Sequence, residues 1–161
     1  MKRVLVYGYG NPGRQDDGLG VKLASLLEAW RDTKAISWLD VEVNYQLNIE
    51  DALTISDYDV VFFADASIED IKNMELTKVM PSSKTEFTMH ATTPAFILHL
   101  CHSLYDKYPE TYLLHIKGYE FEFMEPLTTK AKSNLATAEE FTKKYLSDMQ
   151  KQPDSAKAAL N

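Results

Sequence analysis

Three points of the chain carry the side chains best suited to chemistry. The first is an aspartate pair inside a glycine-rich run, Gly8-Tyr9-Gly10-Asn11-Pro12-Gly13-Arg14-Gln15-Asp16-Asp17-Gly18-Leu19-Gly20. The second is Asp65, in Ala64-Asp65-Ala66-Ser67, and the third is His90, after Phe87-Thr88-Met89. A glycine loop that enters a helix attracts anions through free backbone N–H groups and the helix dipole. Two carboxylates placed there compete for those donors and repel a pyrophosphate, so the loop suits a cation. Carboxylate and imidazole together serve borderline divalent ions such as nickel, zinc, manganese or iron. A set of three, Asp17, Asp65 and His90, also leaves coordination positions open for water or a substrate group.

Taken singly, each of these residues has a plainer use. Asp17 can cap the first helix, Asp65 can cap a turn before Ser67-Ile68-Glu69-Asp70, and His90 can be a hydrogen-bonded histidine at a strand end. Their joint placement carries the cation reading. Asp16 is the weaker member of its pair, with a role in stabilising the helix start through charge and dipole. His99 and His102 fall opposite the apolar stripe of their helix and read as solvated. His115 lies within a strand pattern and reads as packed or paired, and Cys101 as a core residue. Tyr119-Glu120-Phe121-Glu122-Phe123 alternates as a strand end or edge does, with solvated carboxylates bordering the crevice.

The elements that must position these residues alternate between strand and helix. Residues 2–8 and 59–64 are short, continuously apolar runs, the pattern of strands buried on both faces. Weaker strand signals cover 36–45, 86–90 and 111–118. The first helix, 18–31, lines Leu19, Leu23, Leu26, Leu27 and Trp30 along one stripe. A second, 93–105, opens at Thr93-Pro94 and presents Ile97, Leu100, Cys101 and Leu104. The last runs over 128–150 with Leu135, Ala138, Phe141, Tyr145 and Met149 inward. This alternation predicts an α/β fold, a three-layer α/β/α sandwich around a mostly parallel sheet of about five strands. Ligands in such sheets bind beyond the carboxyl ends of the strands, just after residues 8, 64 and 90.

The chain of 161 residues reads as one domain over 1–150 followed by a flexible tail over 151–161. Its net charge of −7 argues against a nucleic-acid partner, which needs clustered Lys and Arg. One cysteine, Cys101, allows neither an internal disulfide nor a zinc ribbon. The apolar run after Met1-Lys2-Arg3 stops at Gly8, short of a signal peptide, and no stretch reaches the ~20 apolar residues of a membrane span. These features predict a cytoplasmic protein without membrane insertion.

The pattern Gly8-x-Gly10-Asn11-x4-Asp16-Asp17-Gly18-x-Gly20, followed by Ala64-Asp65-Ala66 and then His90, resembles the hydrogenase maturation proteases over roughly residues 1–150. The resemblance implies a twisted five-stranded sheet between helices. It also implies an endopeptidase that removes a C-terminal extension from the large-subunit precursor of a nickel–iron hydrogenase after nickel insertion. Asp17, Asp65 and His90 match that family's metal-contacting positions, with Asp17 where some members carry Glu. The nickel would be supplied by the bound precursor, and zinc or cadmium could occupy the same donors. The chain departs from the family at Asn44-Tyr45-Gln46-Leu47-Asn48, where many members have a Gly-Thr or Gly-Ser turn. That departure bears on which hydrogenase is processed.

Rival readings share parts of the pattern. Gly8-Tyr9-Gly10-Asn11-Pro12-Gly13 resembles the opening of peptidyl-tRNA hydrolases, yet no histidine follows before His90, where that esterase requires one. Gly8, Gly10 and Gly13 satisfy G-x-G-x-x-G, but Pro12 and the aspartates lengthen the loop and Asn44-Tyr45-Gln46 ends the second strand without an acidic residue. A non-catalytic chaperone of the precursor shares every feature of the protease reading. Gly-x-Ser-x-Gly is absent, so a serine nucleophile of that type is not available.

Overall fold

Val4, Leu5 and Val6 each have at most 1% of their surface exposed, as a strand covered on both faces requires. They belong to β1 (Val4–Tyr9), which is followed by a 3-10 turn (Gln15–Gly18) and α1 (Leu19–Lys34). The chain continues through β2 (Leu39–Asn44), a short α2 (Asp51–Ile55), β3 (Val60–Ser67), β4 (Met74–Lys78), α3 (Pro94–Tyr105), β5 (Glu110–Lys117) and α4 (Thr129–Lys151). The computed structural model describes residues 1–84 and 92–152. The expected strand over 86–90, His90 itself and nearly all of the 151–161 tail lie outside the described residues.

The strands form one sheet in the order β2-β1-β3-β5-β4. Pairings of β1 with β2, β1 with β3 and β3 with β5 are parallel, while β4 runs antiparallel to β5. Alternate residues face opposite sides, as the two-residue period of a strand demands. Val4, Val6, Val60, Phe62, Leu114 and Ile116 pack with α1 and α4 on one face. Leu5, Tyr7, Val61 and Phe63 pack with α2 and α3 on the other. The result is the expected three-layer α/β/α sandwich around a mostly parallel five-stranded sheet.

Several details differ from the sequence expectation. The fourth strand is Met74-Glu75-Leu76-Thr77-Lys78, an edge strand whose charged positions mask its short alternation. On α3 the buried face is Ile97, Leu98 and Cys101, whereas Leu104 is 64% exposed. That helix is apolar on most sides, so periodicity alone could not choose its inner face. On α4 the buried positions are Ala131, Asn134, Ala138, Thr142 and Leu146, with Leu135, Tyr145 and Met149 flanking them and Phe141 exposed. The helix is seated on its small residues because it lies close to α1 and the sheet. Tyr119–Phe123 is a loop and not a strand end, since β5 stops at Lys117.

Candidate active site

The strand order places β2 and β3 on opposite sides of β1. The carboxyl ends of β1 and β3 therefore border the switch point where α/β sheets bind ligands. Two glycines and an alanine set the spacing there. A side chain at Gly8 would collide with the Gly20 carbonyl, and one at Gly20 would collide with the Ala64 carbonyl. The first turn of α1 thus lies directly on the backbone of β1 and β3. Asp17 stands one turn before Gly20, and Asp65 immediately follows Ala64, so this contact carries one carboxylate to the other. Gly10 adopts φ +133°, a conformation that disfavours side chains, and turns the loop back over Asp17.

Asp17 does not cap α1; its Oδ2 accepts the Asn11 N–H at 2.8 Å within the same loop. Asp65 lies inside β3, one residue past the last β1–β3 pair, Gly8 with Ala64, instead of beyond the strand end. Burial, and then the negative charge of Asp17, push the Asp65 carboxyl from 3.8 up to about 7. Hydrogen bonds from the Tyr9 hydroxyl and the Ala66 N–H oppose that rise. The hydroxyl of Tyr9 is itself raised well above its usual range, first by burial and then by Asp65. A pair of carboxylates that repel each other in this way is relieved by a cation, so Asp17 and Asp65 fit a divalent ion chemically. No group of three or more His, Cys, Asp and Glu among the described residues is arranged to hold a metal.

Asp17 lies near enough to Asp65 for its charge to act on that carboxyl, and His90 lies outside the described residues. His115 is paired, as expected, with its Nε2 2.9 Å from Thr77 Oγ1. His99 and His102 are half-buried on α3 instead of fully solvated. Cys101 is buried in the α3 core with its thiol directed at the Lys107 carbonyl.

Two contributors were missed from sequence. Tyr9 extends the period-two row of Leu5 and Tyr7 by one position, which would have placed it beside Asp65 had β1 been carried past Gly8. Asp16 was expected to act on the helix dipole alone, but it is fully buried. Its Oδ2 accepts the N–H groups of Tyr119 and Glu120 at 2.8 and 3.2 Å and the Thr128 hydroxyl at 2.8 Å. Its Oδ1 accepts the Thr128 N–H at 2.9 Å. Gln15 adds bonds to Glu120 and to the Glu122 N–H, and Met124 N–H bonds the Gly13 carbonyl. The loop between β5 and α4 is thereby strapped to the glycine loop. No local sequence pattern marks this contact, because its partners are more than 100 residues apart.

No protein-family model and no curated protein matches the chain. Among solved structures, it is similar to the hydrogenase maturating endopeptidase HybD from E. coli, at 19% identity and TM-score 0.69 over 91% of this chain and 93% of that one. The [NiFe] hydrogenase maturation protease HycI from Thermococcus kodakarensis KOD1 aligns at 17% identity and TM-score 0.68, covering 88% and 90%. A hydrogenase 2 maturation peptidase from Thaumarchaeota archaeon SCGC_AB-539-E09 aligns at 21% and TM-score 0.65, covering 90% and 98%. This chain has the fold of the hydrogenase maturation proteases. That fold accounts for nearly the whole chain. No helix among the described residues is long and apolar enough to cross a membrane.

Proposed function

We propose that the protein is a cytoplasmic endopeptidase that removes the C-terminal extension of a nickel–iron hydrogenase large-subunit precursor once nickel is in place. The observation that carries this reading is the Asp17–Asp65 pair, held across the β1/β3 switch point of a maturation-protease fold. Nickel enters as part of the substrate, contacted by Asp17, Asp65 and His90. Zinc or cadmium would compete for the same donors.

Without a cation the Asp65 carboxyl is held near 7; nickel in contact with it would favour the ionised carboxylate, the form a general base needs. Asp65 can accept a proton from a water that attacks the scissile carbonyl and return it to the departing amine. The Tyr9 hydroxyl lies beside that carboxylate and favours its ionised form. The only thiol is buried, so a cysteine nucleophile plays no part. The esterase reading needs an imidazole on the glycine loop; His115, the register partner of Asp65 on β5, comes instead from the sheet and is engaged by Thr77.

The test is a gel-shift assay of candidate large-subunit precursors, nickel-loaded and nickel-free, incubated with this protein. Cleavage of the loaded form alone is expected. In Asp17→Ala and His90→Ala variants cleavage should be lost while precursor binding persists. Unaltered processing by both variants would remove the protease assignment, and binding without cleavage by the wild type would favour the chaperone.

A further inference from the structure

At the outer edge of the sheet, β2 ends in three exposed residues, Glu42, Val43 and Asn44. Its inner edge pairs with β1, and among the described residues no strand pairs with its outer edge. A hollow of about 220 Å³ opens where the strand stops, lined by Gly10, Pro12, Val21, Val43, Asn44 and Tyr45. None of these side chains is charged, although the chain as a whole carries −7. Val43 and Tyr45 remain 51% and 69% exposed, so their apolar surface awaits cover.

The hollow adjoins the glycine loop that holds Asp17. Gly10 N–H bonds the Asn44 carbonyl at 3.2 Å, tying the loop to the end of β2. The next N–H along, that of Asn11, holds Asp17 Oδ2. One wall of the hollow and the anchor of the carboxylate are consecutive residues. An extended chain advances about 3.3 Å per residue, so a segment lying over Asp17 reaches the hollow within a few residues.

We propose that this hollow is a side-chain subsite for the polypeptide being cut, and that the free edge of β2 supplies main-chain hydrogen bonds to it. The proposal rests on the endopeptidase reading above. The occupant is an uncharged apolar side chain of the precursor, within a few residues of the scissile bond. The volume is below the roughly 300–1,000 Å³ of small-molecule sites, which fits one side chain of a larger partner. An acidic side chain would be repelled by Asp17, which the next loop residue, Asn11, holds through its N–H. Strand addition to an open edge gives affinity through the backbone, while a pocket for alternate side chains gives selectivity.

The test measures cleavage of nickel-loaded precursor by wild type, Val43→Asp, Tyr45→Ala and, as a control on an exposed apolar residue of α2, Leu53→Asp. The first two should raise KM by about 10- to 100-fold, the range expected for loss of an apolar pocket contact, with kcat little changed. Leu53→Asp should behave as wild type. Replacing successive apolar residues near the cut by Asp should reproduce the KM effect at one position only. A benzoylphenylalanine at position 45 should crosslink the precursor's C-terminal segment. Because Tyr45 is largely exposed, its alanine variant decides the matter even if Val43→Asp misfolds. Wild-type KM in Tyr45→Ala, or crosslinking to a second copy of this chain, overturns the subsite while leaving the protease assignment intact. Failure of the wild type to cut any loaded precursor overturns both.

Discussion

Replacing Asp65 by Asn tests whether the two carboxylates meet. Asp65 titrates at about 7 in the folded protein against 3.8 for an unperturbed carboxyl. At about 1.4 kcal/mol per tenfold change in proton affinity, the full difference corresponds to about 4 kcal/mol. Solvent at the mouth of the crevice screens part of it, and about 2 kcal/mol is the working expectation. The sign follows from proton counts. Between pH 3.8 and about 7 the folded state holds a proton that the unfolded state has released, so stability falls as pH rises. Below that window both states are neutral at this site and the penalty vanishes; above it both are charged and the penalty is complete.

Asn keeps an oxygen for the Tyr9 hydroxyl and the Ala66 N–H but never ionises. Urea melts of wild type and Asp65→Asn across pH 4 to 8, scored as a difference, isolate this site from the other carboxylates. The variant should gain about 2 kcal/mol relative to wild type over that range, or about 4–8 °C in melting temperature for a chain of this size. Millimolar nickel, zinc or cadmium at pH 8 should reverse the ranking by stabilising the wild type through linkage. A difference that stays flat with pH, or an Asn variant less stable at pH 8, would refute the account of a buried, mutually repelling pair.

Asp17→Asn should lower the pKa of Asp65, read from its carboxyl carbon shift by NMR, but leave it above the usual range because burial remains the larger cause; an unchanged titration would separate the two groups. Gly20→Ala should cost about 1–3 kcal/mol in urea unfolding, since the added methyl meets the Ala64 carbonyl and lies 2.8 Å from that of Tyr9. Asp16→Ala removes the acceptor of four hydrogen bonds and should cost about 3 kcal/mol or more, with faster amide exchange at Tyr119, Glu120 and Thr128; retained protection there would contradict the strap.

Strand–helix alternation exposed most of this architecture because its strongest signals are local. Val4–Val6 and Val60–Ala64 are apolar without interruption, and Thr93-Pro94 starts α3 where capping chemistry predicts, with the Thr93 hydroxyl accepting the Phe96 N–H. Asp65 stood out for the same reason, because it directly follows such a run, and Asp17 stood out through the glycine loop that leaves β1. What escaped was non-local. Asp16 looks like the partner of Asp17, yet its bonds go to residues 119–128, and only tertiary structure makes that loop a neighbour. Similarly, β4 gains its identity from pairing with β5, and its Met-Glu-Leu-Thr-Lys pattern carries little intrinsic strand signal.

The adjacent aspartates divide the work that either alone could not do. Asp16 is fully buried and its oxygens are occupied by four protein donors, so it is spent on structure. Asp17 accepts one backbone N–H at Oδ2 and is part-exposed, which leaves capacity for a further contact. The repulsion between Asp17 and Asp65 would push the loop outward if nothing opposed it. The opposing forces are those bonds to Asp16 and the packing of Gly20 on the Ala64 backbone, both of which act within a few residues of the pair. These restraints hold the pair in place, and repulsion of this kind is what a cation would relieve. In the proposed reaction such restraint would leave little reorganisation for the encounter with a metal carried by the precursor.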